Sequence, residues 1–127
     1  MSRAGVAGAL AADAALVTGF AIAGRTSHAE DPLAGLWTTA WPFLAALAVG
    51  WAVTLAWRAP TAPVRTGIPL AIVTVAGGML LRALSGQGIA LPFIVVASVV
   101  LLAALVGWRL VAMAVLRARS VRRMPSP

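Results

Sequence analysis

Asp13 stands in the middle of an otherwise apolar run, Ala4–Ala23. A carboxylate in such a run must be protonated, be paired with a cation, or take part in moving protons or ions, since a charge at the centre of a bilayer costs about 2.5–3.5 kcal/mol on insertion scales. Arg82 is the partner that spacing favours. Sixteen residues separate Arg65 from Arg82, roughly 24 Å of helix, so a spanning helix has to continue past Arg82 and carry its guanidinium inward. Thr74, Gly78 and Arg82 then form one polar, small-residue stripe suited to an inward face or a cavity. Arg109 is the rival, but its face carries Leu102, Leu105, Val106 and Met113. That face reads as lipid-exposed, with Arg109 snorkelling to the headgroups. An Asp13–Arg82 pair would set helix register or serve a proton or ion relay. The simplest alternative has both groups reaching water.

A second polar concentration is the loop Gly24–Asp31. Arg25, Ser27 and His28 can meet Gln87 and Arg82 at one mouth of the molecule, where guanidinium, hydroxyl and imidazole groups suit an anion or a lipid headgroup. A solvated connecting loop is the simpler reading. One His beside two acids falls short of the four ligands of a closed zinc site, and cysteine is absent, so no metal is expected. No nucleophile and base are paired in the pattern an enzyme needs, and no cofactor motif is present. Arg109, Arg117, Arg119, Arg122 and Arg123 read as anchors on anionic headgroups, each worth about 1 kcal/mol near the surface. No aromatic residue is interleaved with this run, so the net charge of +7 does not point to nucleic acid.

The elements that must position these groups are four apolar segments, Ala4–Ala23, Leu33–Trp57, Thr66–Ser85 and Ile89–Trp108. Each is close to the roughly 20 residues that cross a bilayer as a helix. With 61% hydrophobic and 10% charged residues, the chain has too little polar surface for a soluble shell of its size. The expected architecture is all-α: four transmembrane helices over about 4–24, 33–57, 66–85 and 89–113 in a domain of residues 1–116, followed by a basic tail at 117–127. Short connections make consecutive helices antiparallel, giving an up-down bundle. Both termini and the middle connection then share one side. That side carries eight arginines against two opposite, which by the positive-inside rule places both termini in the cytoplasm. Trp37 and Trp41 would mark the outer interface, and Trp57 and Trp108 the inner one. Arg3 and the triplet Ala21-Ile22-Ala23 resemble a secretory signal, but Asp13 interrupts the run, so an uncleaved first helix is expected. Small residues at Gly8, Ala12, Ala15 and Gly19, and at Gly77-Gly78, suit close helix packing within one chain or between chains.

Several spaced motifs recur together: Asp13, Gly24-Arg25-Thr26-Ser27-His28, Thr39-Ala40-Trp41-Pro42-Phe43-Leu44, Gly50-Trp51, Gly78-Met79-Leu80-Leu81-Arg82, Ser85-Gly86-Gln87-Gly88, Phe93 and Gly107-Trp108-Arg109. In this combination the chain resembles the bacterial domain-of-unknown-function family 3054, common in actinobacteria. The resemblance covers roughly Asp13 to Arg109 and implies a small integral membrane protein with no established activity and no catalytic residues to carry over. Thr26 stands where relatives often carry a basic residue, which implies a weaker outer anion site. The function expected is therefore that of a small protein of the bacterial inner membrane acting by interaction, as an accessory or lipid-contacting factor, alone, as a homo-oligomer or in a larger complex. A subunit of an oligomeric transporter or channel using Asp13 and Arg82 is the second reading. A lipid-modifying enzyme using His28 is the third.

Overall fold

The computed structural model describes residues 2–27 and 35–123. Four helices dominate it: α1 (Arg3–Ser27), α2 (Leu36–Val53), α3 (Ile68–Leu84) and α4 (Leu91–Arg123). All four belong to segments long and apolar enough to cross a membrane. α1 packs on α2 and α4, and α3 packs on the same two. Facing residues run in opposite order: Asp13 meets Trp51 while Arg25 meets Thr39, and Gly50 faces Leu70 while Gly78 faces Phe43. The architecture is thus the expected up-down bundle.

Helix limits differ most from those expected in two places. The second helix stops at Val53, not Trp57, because Leu55 takes a left-handed conformation (φ 54°) that turns the chain. A 3-10 turn at Ala56–Arg58 follows, with Ala56 fully buried, and then one wide turn at Pro63–Gly67 that leads directly into α3. The fourth helix does not end at 113 before a separate tail. It continues through Arg123, so Arg117, Arg119 and Arg122 sit on helix. Nothing in 113–123 breaks it: the stretch has no Pro or Gly, and four Arg and two Ala, both strong helix formers, make up more than half of it. At 33 residues, α4 is roughly 50 Å long, well beyond a hydrocarbon core of about 30 Å.

The α2–α3 seam is the closest. A Cβ on Gly50 would lie 2.8 Å from Leu70 Cδ1, one on Gly77 would lie 2.9 Å from Ala46 Cβ, and one on Gly78 would enter the Phe43 ring. That ring completes a cluster with Phe20 and Phe93, with centroids 5.4–6.1 Å apart, which joins α1, α2 and α4. On α1 the small-residue stripe is not used this way, since Gly8 and Gly19 meet nothing within 4 Å. Gly78→Ala should therefore lower the thermal midpoint of the detergent-solubilised protein, with a cost of about 1–3 kcal/mol from overpacking. Gly19→Ala should leave stability within about 0.5 kcal/mol, and equal losses for the two would contradict this packing.

Candidate functional site

Asp13, Val17, Phe20 and Ala21 fall on one face of α1, and all are buried. Asp13 is completely buried, and it is saturated. Its Oδ1 accepts from Arg109 Nη1 and Trp108 Nε1, both at 2.8 Å; its Oδ2 accepts from Arg109 Nη2 at 2.7 Å and Trp51 Nε1 at 2.8 Å. Four donors fill the roughly four lone-pair sites of a carboxylate. The two Arg109 bonds form the parallel fork that makes Arg–carboxylate pairing strong and directional.

Arg109 is equally enclosed, with no exposed side-chain surface. Its Nε donates to Pro60 O at 2.8 Å and its Nη1 also donates to Leu105 O at 2.9 Å. Its guanidinium carbon lies 4.6 Å from the centre of the Trp108 ring. Among the described residues no buried side-chain nitrogen or oxygen lacks a partner. Such a cluster has no vacant acceptor for a travelling proton and no space for a substrate. Its chemistry is that of a clasp joining α1, α2, α4 and the α2–α3 connection.

This corrects the expected Asp13–Arg82 pair. Arg82 lies at the opposite end of the bundle. Gly67, at the start of α3, faces Arg109, and it lies fifteen positions before Arg82, roughly 22 Å along a mostly helical chain. Helix α3 does continue past Arg82, to Leu84, but the guanidinium is engaged locally at that end, by Gly88 O and Gln87 Oε1. Arg109 in turn is not a snorkelling lipid anchor. Of the face read as lipid-exposed, Leu105 is fully buried and Val106 and Met113 are partly so, while Leu102 is exposed. Because α4 runs on for fourteen residues beyond Arg109, that position is helix interior and not helix end. Thr74 and Gly78 of the α3 stripe do face inward, but they are packed shut and only Arg82 borders a cavity. Thr74 is fully buried with its hydroxyl on Leu70 O at 2.7 Å, and the Phe43 ring covers Gly78.

At the far end, Arg82 donates through Nε and Nη2 to Gly88 O (3.0 and 2.8 Å) and through Nη1 to Gln87 Oε1 (3.0 Å), and it lies 4.4 Å from the Phe93 ring centre. Gln87 Nε2 then donates to Thr38 O at 3.0 Å. The reason is local. Pro42, inside α2, has no N–H, which leaves the carbonyl four residues earlier without its helical partner, and that carbonyl is Thr38 O. Gln87 is thus a structural tie across a proline gap, not a free headgroup ligand.

Arg25 donates to Thr39 Oγ1 at 3.1 Å. Together with Arg82, Phe20 and Phe93 it lines a cavity of about 260 Å³. The expected mouth therefore gathers Arg25 and Arg82, while His28 and the side chain of Ser27 lie outside the described residues. Among the described residues no three His, Cys, Asp or Glu side chains group as metal ligands.

Residues 10–112 match the family described as protein of unknown function (DUF3054). The chain belongs to this family. No curated protein and no solved structure gives a match. The DUF3054 region takes in Asp13, Trp51, Trp108 and Arg109, and stops before Arg117.

In this DUF3054 protein, Trp51 and Trp108 are the site residues that sequence reasoning missed, Trp108 having been read as an interface marker. A usable signal existed: a buried indole N–H needs an acceptor, and the chain has only three acids. Removing one partner from a buried pair leaves an uncompensated charge and costs about 3–5 kcal/mol. Asp13→Asn and Arg109→Gln should each cause a loss of this order in detergent unfolding, and Asp13→Leu combined with Arg109→Met should lose far less than the sum. Asp13→Asn with Arg82→Gln should be additive; strong coupling in that second pair would contradict the geometry. For the proline gap, Gln87→Ala should destabilise the wild type by about 1 kcal/mol. In a Pro42→Ala background, where the helix supplies its own N–H, it should cost measurably less.

Proposed function

We propose that this chain is a multi-pass protein of the bacterial cell membrane that works by contact, as an accessory or lipid-contacting factor, and not by catalysis or transport. The observation that carries this reading is the state of the interior. Its charged cluster, Asp13 with Arg109, spends its acceptors and nearly all its donors on internal partners. A relay would need Asp13 and Arg82 to share a path, whereas each is engaged at its own end of the bundle. That leaves the outer surface to act.

The surface supports a lipid setting. Val49, Ile72, Leu80, Val95, Val99 and Val111 are exposed on helices that are apolar nearly all round, a pattern stable in hydrocarbon and prone to aggregate in water. The arginine asymmetry supports cytoplasmic termini, and exposed Trp37 and Trp57 near opposite ends of the bundle suit the two interfaces.

Membranes washed in alkaline carbonate should retain the protein. A C-terminal fluorescent fusion should be bright and a C-terminal phosphatase fusion inactive. Release by carbonate, or an active phosphatase, would overturn the reading. Purification in mild detergent then separates its two forms: a stoichiometric protein partner supports the accessory role, and a lone protein carrying phospholipid supports lipid contact.

A further inference from the structure

Arg3, Arg58, Arg65, Arg117, Arg119 and Arg122 all lie at the end of the bundle formed by the start of α1, the α2–α3 connection and the end of α4. None of them forms an ion pair with a described residue. The chain has three acids in all. Asp13, the one acid among the described residues, is saturated by Arg109 and two indoles. Among the described residues, then, no carboxylate neutralises this end.

The structure offers one place to hold a counter-charge. Between the α2–α3 connection and the extension of α4 runs a groove of about 630 Å³, lined among others by Arg58, Thr61, Met113, Leu116, Arg117 and Ser120. Two guanidiniums from separate elements flank it, and two hydroxyls add neutral donors, a set suited to phosphate oxygens. Met113 and Leu116 give the same groove an apolar wall that a free inorganic anion would not need. Arg117 lies eight residues beyond Arg109 on α4, roughly 12 Å along the axis. That places the groove outward of the buried clasp, where headgroups begin.

We propose that this groove binds the phosphate of an anionic glycerophospholipid, with Arg58 and Arg117 as its ligands. This rests on the reading above that the arginine-rich end faces the inner leaflet.

The test uses the full-length protein in neutral detergent, titrated with phosphatidylglycerol, phosphatidylcholine or inorganic phosphate and read by native mass spectrometry. Phosphatidylglycerol should be preferred. Arg58→Gln with Arg117→Gln should weaken it by roughly 25-fold, about fivefold for each guanidinium. Arg65→Gln with Arg122→Gln, an equal change in net charge, should weaken it by no more than about twofold in physiological salt. Both double variants alter surface side chains and should keep the wild-type unfolding midpoint. Equal losses in the two would mean diffuse attraction and would overturn the site. So would phosphatidylcholine binding as tightly as phosphatidylglycerol, or inorganic phosphate displacing the lipid at equal concentration. An active C-terminal phosphatase fusion would sink the orientation but leave this detergent measurement intact, so the two failures are distinguishable.

Discussion

The bidentate pair between Asp13 and Arg109 is the constraint on which the rest of the structure depends. It joins the first helix to the last, which sequence order alone would leave as the two free edges of a hairpin array, and so closes the bundle. Trp51 brings in the last turn of α2, and Pro60 O brings in the α2–α3 connection. A second anchor, Thr66 Oγ1 on Ala59 O at 2.6 Å, holds that connection against itself. Gly67 then lets α3 start within van der Waals reach of Arg109 and Val106. A charged pair is a costly way to organise an interior, because both ions lose their hydration. Here the cost is offset by completeness: every acceptor site on the carboxylate is filled, and four guanidinium N–H bonds are made.

The opposite end is built on another principle. There a proline inside α2 leaves a carbonyl unpaired, and a neutral glutamine fills the gap while receiving a bond from Arg82. Three phenylalanines pack beneath this tie. The molecule thus has a charged clasp at one end, an amide tie at the other, and a tight glycine-lined seam between α2 and α3. All three are devices for holding helices together.

Legibility in the sequence varied with the range of the interaction. The four helices were plain, because apolar runs near twenty residues and short connections are local features. The importance of Asp13 was also plain, since a carboxylate in such a run requires an explanation. Its partner was not. The choice between Arg82 and Arg109 turned on where α4 ends, and boundaries are what periodicity resolves worst. Ending α4 near 113 made Arg109 look like a terminal anchor; its continuation to Arg123 makes the same residue interior. The Gln87–Thr38 tie was legible in principle from Pro42, which announces an unpaired carbonyl four residues back, but the donor lies 49 residues away in sequence.

By itself, the order of residues determined the class of this protein: an all-helical chain with four helices long and apolar enough to cross a membrane, and with arginine gathered at one end. Those properties follow from composition and from hydrophobic run length, which need no knowledge of neighbours. Only the tertiary structure decided which arginine meets the aspartate, that two tryptophan N–H groups complete the site, and that Thr74 and Gly78 on α3 are packed shut. Pairing at these distances depends on the depth and rotation of each helix within the bundle, and those are set by packing between elements that the chain places far apart.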